Sequence, residues 1–326
     1  MPLHLVHRTG AIATMQRRHL LTLVLAGAAT TVTAACGGSD PLATSDPTTA
    51  STDGASGSST VVVGSANFPE SELLAEMYAQ VLEAAGVTVQ RRFDIGSREI
   101  YVRALQDGSI DLIPEYNGAL LAYLADNDAV DARSAEAVRT GLQDELPATL
   151  TLLDEAAAQD KDSLVVTTAT AQRYGLASIE DLAPVAGDLV LGAGAEYAER
   201  RQGLLGLAEV YDVTFREFRA LDAGGPLTVG ALEDDTVQVA SLLSTDPVIT
   251  ERGFTTLADP QNLFGVQNVV PLITTAKNNA TVTEALNAFS ATLTTDALSA
   301  ALGRVTLEHE ATATVAASYL TDHGLS

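Results

Sequence analysis

Val61-Val62-Val63-Gly64-Ser65-Ala66-Asn67-Phe68-Pro69-Glu70 holds a strand, a turn and the start of a helix. Three valines closed by a glycine read as a short buried strand. Pro69 suits the first helical turn, where its missing N–H has no partner to lose, and the acids beside it suit the positive helix end. Leu73, Leu74, Met77, Tyr78, Val81 and Leu82 recur at helical spacing as far as Gly86. Val87 to Phe93 alternates as a strand. Gly96-Ser97 leads into a helix carrying Ile100, Val102, Ala104 and Leu105, stopped at Asp107-Gly108. Ile110-Asp111-Leu112-Ile113 is a further strand, ending at Pro114. This β-α-β-α-β order predicts a mostly parallel sheet with helices on its faces, an α/β fold.

A second α/β region opens near Ser163. Leu164-Val165-Val166 is a strand, Ala171 to Tyr174 is helical and closes at Gly175, and Ile179 to Leu182 is a short helix. Leu189 to Gly192 is a strand, and a helix runs from about Arg201 to Val210. The two regions echo one another: Ala104-Leu105-Gln106-Asp107-Gly108-Ser109-Ile110-Asp111-Leu112 matches Ala231-Leu232-Glu233-Asp234-Asp235-Thr236-Val237-Gln238-Val239. Each reads as helix end, turn and strand, which suggests two similar lobes. The chain returns through Val269-Val270-Pro271-Leu272-Ile273 and ends in helices rich in Ala and Leu.

Upstream of Val61 the composition changes. Arg8 and Arg17-Arg18 precede a short apolar run from Leu20 to Ala26, and small residues lead to Ala34-Ala35-Cys36-Gly37. A basic segment, an apolar core and a small-residue exit predict a signal peptide over residues 1–35. The run is too short and too rich in Ala and Thr for a membrane span. Cys36 after two alanines is similar to a bacterial lipobox, so it is the expected lipidation site, although Thr33 stands where a leucine is preferred. Arg17-Arg18 also resembles a twin-arginine signal. Residues 36–60, nearly all Gly, Ser, Thr, Asp, Ala and Pro, are expected to be a lipid-anchored flexible tether with a reach of ~25–30 Å. The expected location is extracytoplasmic, on the outer face of the bacterial plasma membrane.

The net charge of -24 argues against nucleic acid as a partner, because phosphate binding needs clustered Lys and Arg. Beyond the leader the lysines are Lys161 and Lys277 and the histidines are His309 and His323, both near the C-terminus. That leaves little for a histidine metal site or a Ser-His-Asp triad, and with Cys36 in the leader region no disulfide is expected. No G-x-S-x-G elbow, H-E-x-x-H or P-loop occurs, and Trp is absent, so neither an enzyme nor a sugar cleft with Trp platforms is indicated. No cofactor and no metal are expected.

Gly64-Ser65-Ala66-Asn67-Phe68-Pro69-Glu70 resembles the G-S-K-N-F-T-E opening of the substrate-binding proteins of quaternary-amine ABC importers, the glycine betaine/choline osmoprotectant family. Asp111-Leu112-Ile113-Pro114-Glu115-Tyr116-Asn117-Gly118 is similar to its D-I-Y-P-E-Y-T-G. Glu196 to Leu207 follows E-F-x-x-R-x-x-G-L-x-G-L, Ser244-Thr245-Asp246 matches S-T-D, and Asn268 to Pro271 matches N-V-V-P. The motifs keep the family's order. The resemblance implies a two-lobed periplasmic-binding-protein type II fold with a ligand cleft between lobes. Lobe one would be residues 61–162 plus 253–326 and lobe two residues 163–252. The implied role is to capture a small quaternary-amine or zwitterionic solute and deliver it to an ABC permease, the protein acting as a monomer. Alternatives are a tethered sensor domain of the same fold without a transport role, or a binder of another small cation or zwitterion.

Tyr116 is the first ligand-binding candidate, because it ends a strand where open α/β sheets place ligands and the family has a cage tyrosine there. Arg200 matches the family arginine that can meet a carboxylate, with Arg201 beside it as a rival. Glu115 could contact a cation or cap the next helix. Thr245 and Asp246 follow a strand and could line the cleft or form a turn. Asn67 and Ser65 follow the first strand and could offer polar contacts or cap a helix. Where relatives carry further cage aromatics this chain has Glu99, Leu204 and Leu243, and Ala66 replaces a lysine. Three rings lost at ~1 kcal/mol each would weaken a quaternary ammonium about a hundredfold. Phe68, Phe93, Tyr101 and Tyr197 are the aromatics that could compensate.

Overall fold

The computed structural model describes residues 60–126 and 134–326. The signal peptide, Cys36 and nearly all of the tether lie outside the described residues. The chain forms β1 (Val61–Gly64), α1 (Pro69–Ala84), β2 (Val89–Arg92), α2 (Arg98–Gln106), β3 (Leu112–Tyr116), α3 (Asn117–Leu124), α4 (Ala135–Glu145) and β4 (Leu150–Leu152). It then crosses to β5 (Asp162–Val166), α5 (Thr168–Tyr174), β6 (Val190–Gly194), α6 (Leu204–Tyr211), β7 (Glu217–Leu221), α7 (Pro226–Glu233), β8 (Val239–Leu243), α8 (Val248–Glu251) and β9 (Thr255–Thr256). It returns through β10 (Val269–Thr274) and ends in α9 (Ala280–Ser290), α10 (Thr295–Thr306) and α11 (Thr312–Asp322).

Two five-stranded sheets result, in the orders β2-β1-β3-β10-β4 and β7-β6-β8-β5-β9. In the first, β1 runs parallel to β2 and β3, and β10 runs antiparallel to β3 and β4. In the second, β6 runs parallel to β7 and β8, and β5 runs antiparallel to β8. Each lobe is thus a parallel triplet joined on one side by a strand that arrives from the other lobe, which is why the sheets are mixed rather than mostly parallel. The echo in sequence is an echo in place. Leu112 pairs with Val63 at the start of β3, and Val239 pairs with Leu191 at the start of β8.

The strand read as ending at Pro114 continues to Tyr116, and Pro114 faces Pro271 of β10. Neither proline can donate, so this is a position where the facing residues exchange no hydrogen bond and the ladder loses nothing between them. That continuation carries Glu115 and Tyr116 to the end of the sheet.

In the first lobe, α1 buries Leu73, Leu74, Met77, Tyr78 and Leu82 against Phe289, Leu298, Val315 and Tyr319 of the C-terminal helices. Tyr78 meets Phe289 edge-on, 5.4 Å between ring centroids. The other face buries Val102, Leu105, Leu120, Leu121 and Val138 under α2, α3 and α4. The second lobe packs Leu164, Leu182, Leu191, Leu207, Tyr211 and Val239 on one face and Val165, Val190, Leu232 and Val237 on the other.

β9 pairs with β5, and Leu257 and Phe264 pack into the second core, so this lobe holds residues beyond Arg252, where the sequence reading closes it. The two crossings lie side by side. Gln159 bridges Asn268, and the Asp160 N–H donates to the Gln267 carbonyl at 3.1 Å.

Candidate functional site

The lobes enclose a cavity of about 90 Å³ beside these crossings. The first lobe contributes Phe68 from the β1–α1 turn, Arg98 and Tyr101 from α2, and Tyr116 from the end of β3. The second contributes Tyr197 and Arg200 from the segment after β6, and Ser241 and Leu243 from β8. Asp160, Asp162 and Gln267 come from the crossings. The sheets place these groups at the ends of β1, β3, β6 and β8, where an open α/β sheet exposes its loops to a ligand.

Four rings therefore share one small space, and Phe68 stacks on Tyr116 at 6.3 Å between centroids. The depletion of aromatics expected from Glu99, Leu204 and Leu243 does not leave the cavity bare. Tyr101 and Tyr197 are buried in its wall, Leu243 lines it, Leu204 packs towards the second-lobe core, and Phe93 packs against the first-lobe core. Burial pushes the hydroxyls of Tyr101, Tyr116 and Tyr197 well above their usual value, so the rings stay neutral. The Tyr197 hydroxyl is buried without a hydrogen-bond partner.

Beneath Tyr116 lies a web of acids. The Tyr116 hydroxyl donates to Glu70 Oε1 at 2.6 Å, and the Thr245 hydroxyl donates to Glu70 Oε2. The Thr245 N–H and the Ser244 hydroxyl each donate to Asp160 Oδ1 at 3.1 Å. Burial, with Glu70 beside it, holds the Asp160 carboxyl well above the usual carboxylate range, and burial raises Glu70 although Thr245 and Tyr116 oppose the rise. Asp162 is likewise raised by burial, with Arg200 and a 3.3 Å hydrogen bond from Ser241 pulling the other way.

Glu115 sits behind this wall. Arg98 Nε and Nη2 donate to its two oxygens at 2.8 and 3.0 Å, and the Tyr101 hydroxyl donates to Oε1 at 2.8 Å. It is the fully buried counter-ion of Arg98 and does not line the cavity. Burial works against the charge on Arg98, but the Glu115 carboxylate outweighs it and holds the guanidinium charged. At the mouth, Arg200 Nε and Nη2 donate to Glu99 at 3.2 Å, and Nη1 lies 3.8 Å from Glu196. Burial opposes ionisation of Glu99, yet Arg200 and hydrogen bonds from Ser97 and Arg200 hold its carboxyl down to about 2.

The other candidates separate. Asn67 is exposed and lines the cavity. Ser65 is fully buried, and its hydroxyl accepts from the Asp94 N–H at 2.8 Å, fastening the loop after β2. Thr245 lies under the cavity on Glu70. Asp246 accepts from the Val248 N–H at 3.0 Å, in the turn that leads into α8. Arg201 pairs with Glu209 and does not line the cavity, so of these two neighbours it is Arg200 that reaches the cleft.

Arg98, Glu70, Asp160 and Asp162 are not among the site residues read from the sequence, where Glu70 figures only as an acid at the start of a helix. Arg98 carries a signal there, because a cation in the first turn of a helix opposes the macrodipole and calls for a carboxylate nearby. Asp160 and Asp162 are two residues apart before an apolar strand, a spacing that turns both side chains to one side. Among the described residues no group of His, Cys, Asp and Glu is placed to hold a metal ion, and no helix is long and apolar enough to cross a membrane.

Two α/β lobes joined by paired crossings, with a cavity between them lined from both sides, define a solute-binding protein of the periplasmic type II class. The chain belongs to the family described as the substrate-binding domain of ABC-type glycine betaine transport systems, whose model matches residues 59–322. It is 28% identical over 225 residues to the glycine betaine-binding protein YehZ of Escherichia coli, across 66% of this chain and 74% of that one. It is 24% identical over 205 residues to an ergothioneine transport permease/ergothioneine binding protein, EgtU, of Helicobacter pylori, across 63% of this chain and 36% of that protein. A solved structure described as a glycine betaine/carnitine/choline ABC transporter superposes with a TM-score of 0.62 at 22% identity, over 81% of this chain and 99% of that one.

Proposed function

We propose that this chain captures a small quaternary-ammonium solute of the glycine betaine and choline class and delivers it to an ABC permease without altering it chemically. The observation that carries this reading is the gathering of Phe68, Tyr101, Tyr116 and Tyr197 with Asp160 and Asp162 around one cavity of about 90 Å³. A trimethylammonium group has no N–H to donate, so it is held by ring faces, each worth ~0.5–2 kcal/mol, and by nearby negative charge that needs no directed hydrogen bond. The cavity is far below the ~300–1,000 Å³ of sites for drug-sized ligands, which favours a solute of a few heavy atoms. Arg200 is the group for a ligand carboxylate, because its Nη1 stands 3.8 Å from Glu196 and has room for a nearer acceptor.

The lobes close by turning about the two crossings, and the closed form is what the permease recognises. Acylation of Cys36 holds the monomeric domain at the outer membrane face through the tether. Replacing Cys36 with Ala should move the protein from the membrane fraction to the soluble one. The function itself is tested by calorimetric titration with glycine betaine, choline, carnitine, proline betaine, ergothioneine and a set of amino acids. Micromolar binding of a quaternary amine is the expected outcome. Silence from all of them, or binding of amino acids alone, would overturn the reading.

A further inference from the structure

Glu70 and Asp160 are carboxyls of different elements brought together in the protein interior. Glu70 opens α1 and Asp160 lies on the first crossing, and they are 1% and 3% exposed. Three of their four oxygens accept from named donors: Glu70 Oε1 from Tyr116, Glu70 Oε2 from Thr245, and Asp160 Oδ1 from Ser244 and Thr245. Asp160 Oδ2 is buried without any donor, and Asp160 lines the cavity. Two adjacent buried carboxylates cannot both stay charged without a counter-ion, and the usual resolution is one proton held between them.

No arginine or lysine among the described residues is a partner of either acid. Arg98 is committed to Glu115 and Arg200 to Glu99. Tyr116 on β3 faces the pair as a donor, and Asp246 after β8 adds a like charge to Glu70. Lys161 and Asp162 follow Asp160 in sequence. A second cleft on the far side of Glu70 brings up Glu233, Arg252 and His309, with Arg252 held by Glu233 at 3.5 Å.

We propose that Glu70 and Asp160 form a proton-exchanging counter-ion: the pair holds one proton in the empty cleft and gives it up when a cationic head enters over Tyr116. Binding is then an exchange of a cation for a proton, and the net charge of the buried cluster is the same before and after. The inference rests on the quaternary-ammonium reading and adds a preference to it. A net cation such as choline gains the full exchange. A zwitterion such as glycine betaine must in addition seat its carboxylate on Arg200, in competition with the Glu99 carboxylate already paired there.

The test is calorimetric titration of choline into the native protein at one pH in phosphate and in Tris, whose ionisation heats differ, so that the difference counts the protons released. About one proton per choline is expected, with affinity rising up to tenfold per pH unit until the empty pair loses its proton unaided. Asp160→Asn should abolish both the release and the pH slope, and Glu70→Gln is the second variant should that protein fail to fold. Binding of choline with no proton released overturns the exchange and leaves the quaternary-ammonium reading standing. Release that persists in Asp160→Asn assigns the proton elsewhere, to Asp162 or His309, and overturns it too. Failure of choline and glycine betaine alike to bind overturns the reading and the exchange together.

Discussion

Arg200 of the second lobe and Glu99 of the first meet across the mouth of the cleft, with both Nε and Nη2 3.2 Å from the carboxylate. The pair joins α2 to the segment after β6, so it exists only while the lobes are close. It is partly exposed, and such pairs contribute ~0–1 kcal/mol. That is enough to shift an open–closed balance about fivefold and too little to hold the lobes shut alone. The carboxyl of Glu99 is depressed from an ordinary 4.5 to about 2. Its contribution is therefore present above pH 4.5 and lost as the pH falls through about 2. Glu99→Gln should enlarge the ligand-free radius of gyration in small-angle scattering and should make it insensitive to acid over that window. The same variant frees Arg200, so glycine betaine should bind several-fold more tightly while choline gains nothing. Equal weakening of both ligands would remove Arg200 from the carboxylate subsite.

Arg98 is set the opposite way, sealed in the first lobe with Glu115 and Tyr101. Removing one member of a buried ion pair costs ~3–5 kcal/mol, because the partner keeps its charge and loses its counter-ion. Arg98→Met should therefore lower the melting temperature by on the order of 10 °C. The double variant Arg98→Met, Glu115→Leu should recover most of the loss. A single variant with an unchanged melting temperature would mean that Glu115 takes a proton at little cost.

Strands and helices were legible in sequence because burial on one face imposes a period, as in α2, which buries Tyr101, Val102 and Leu105 at helical spacing. Tyr116 was legible because it ends a strand. The acids of the cleft were not, since Glu70 reads as an ordinary N-terminal helix acid and Asp160 as a polar residue before a strand. Their meaning comes from the crossing, which brings residues 70, 160 and 245 together from three separate parts of the chain. Periodicity carries no information about such contacts. The rings show the same limit, because helical spacing makes Tyr101 read equally well as core, and it takes both lobes to bring it to one space with Tyr197.

Tyr116 gives the ligand its ring face and gives Glu70 its hydroxyl, and two substitutions separate these roles. Tyr116→Phe keeps the face and removes a donor from a buried carboxyl, an effect of ~1–3 kcal/mol on stability. Its ligand-induced rise in melting temperature should persist. Tyr116→Ala removes the face as well, and affinity should fall by ~2–30-fold from the ring alone. Calorimetry of both variants decides the matter. Equal weakening in Phe and Ala would show that the hydroxyl, and not the ring, holds the ligand.

Gly203 reaches the cleft without lining it. A Cβ at this position would stand 2.1 Å from the Tyr197 carbonyl oxygen and 3.2 Å from the Tyr197 ring. The nearer atom is backbone and cannot swing aside, so Gly203→Ala must displace the turn that carries Tyr197 and Arg200. Overpacking of this kind costs ~1–3 kcal/mol in stability. Because cation–ring attraction depends on the ring facing the cation, affinity should drop by about tenfold or more. Gly187→Ala is the control, because a Cβ there meets nothing within 4 Å. It should leave both melting temperature and affinity unchanged. If Gly203→Ala lowers stability yet binds with native affinity, Tyr197 is a wall of the cavity and not a contact of the ligand.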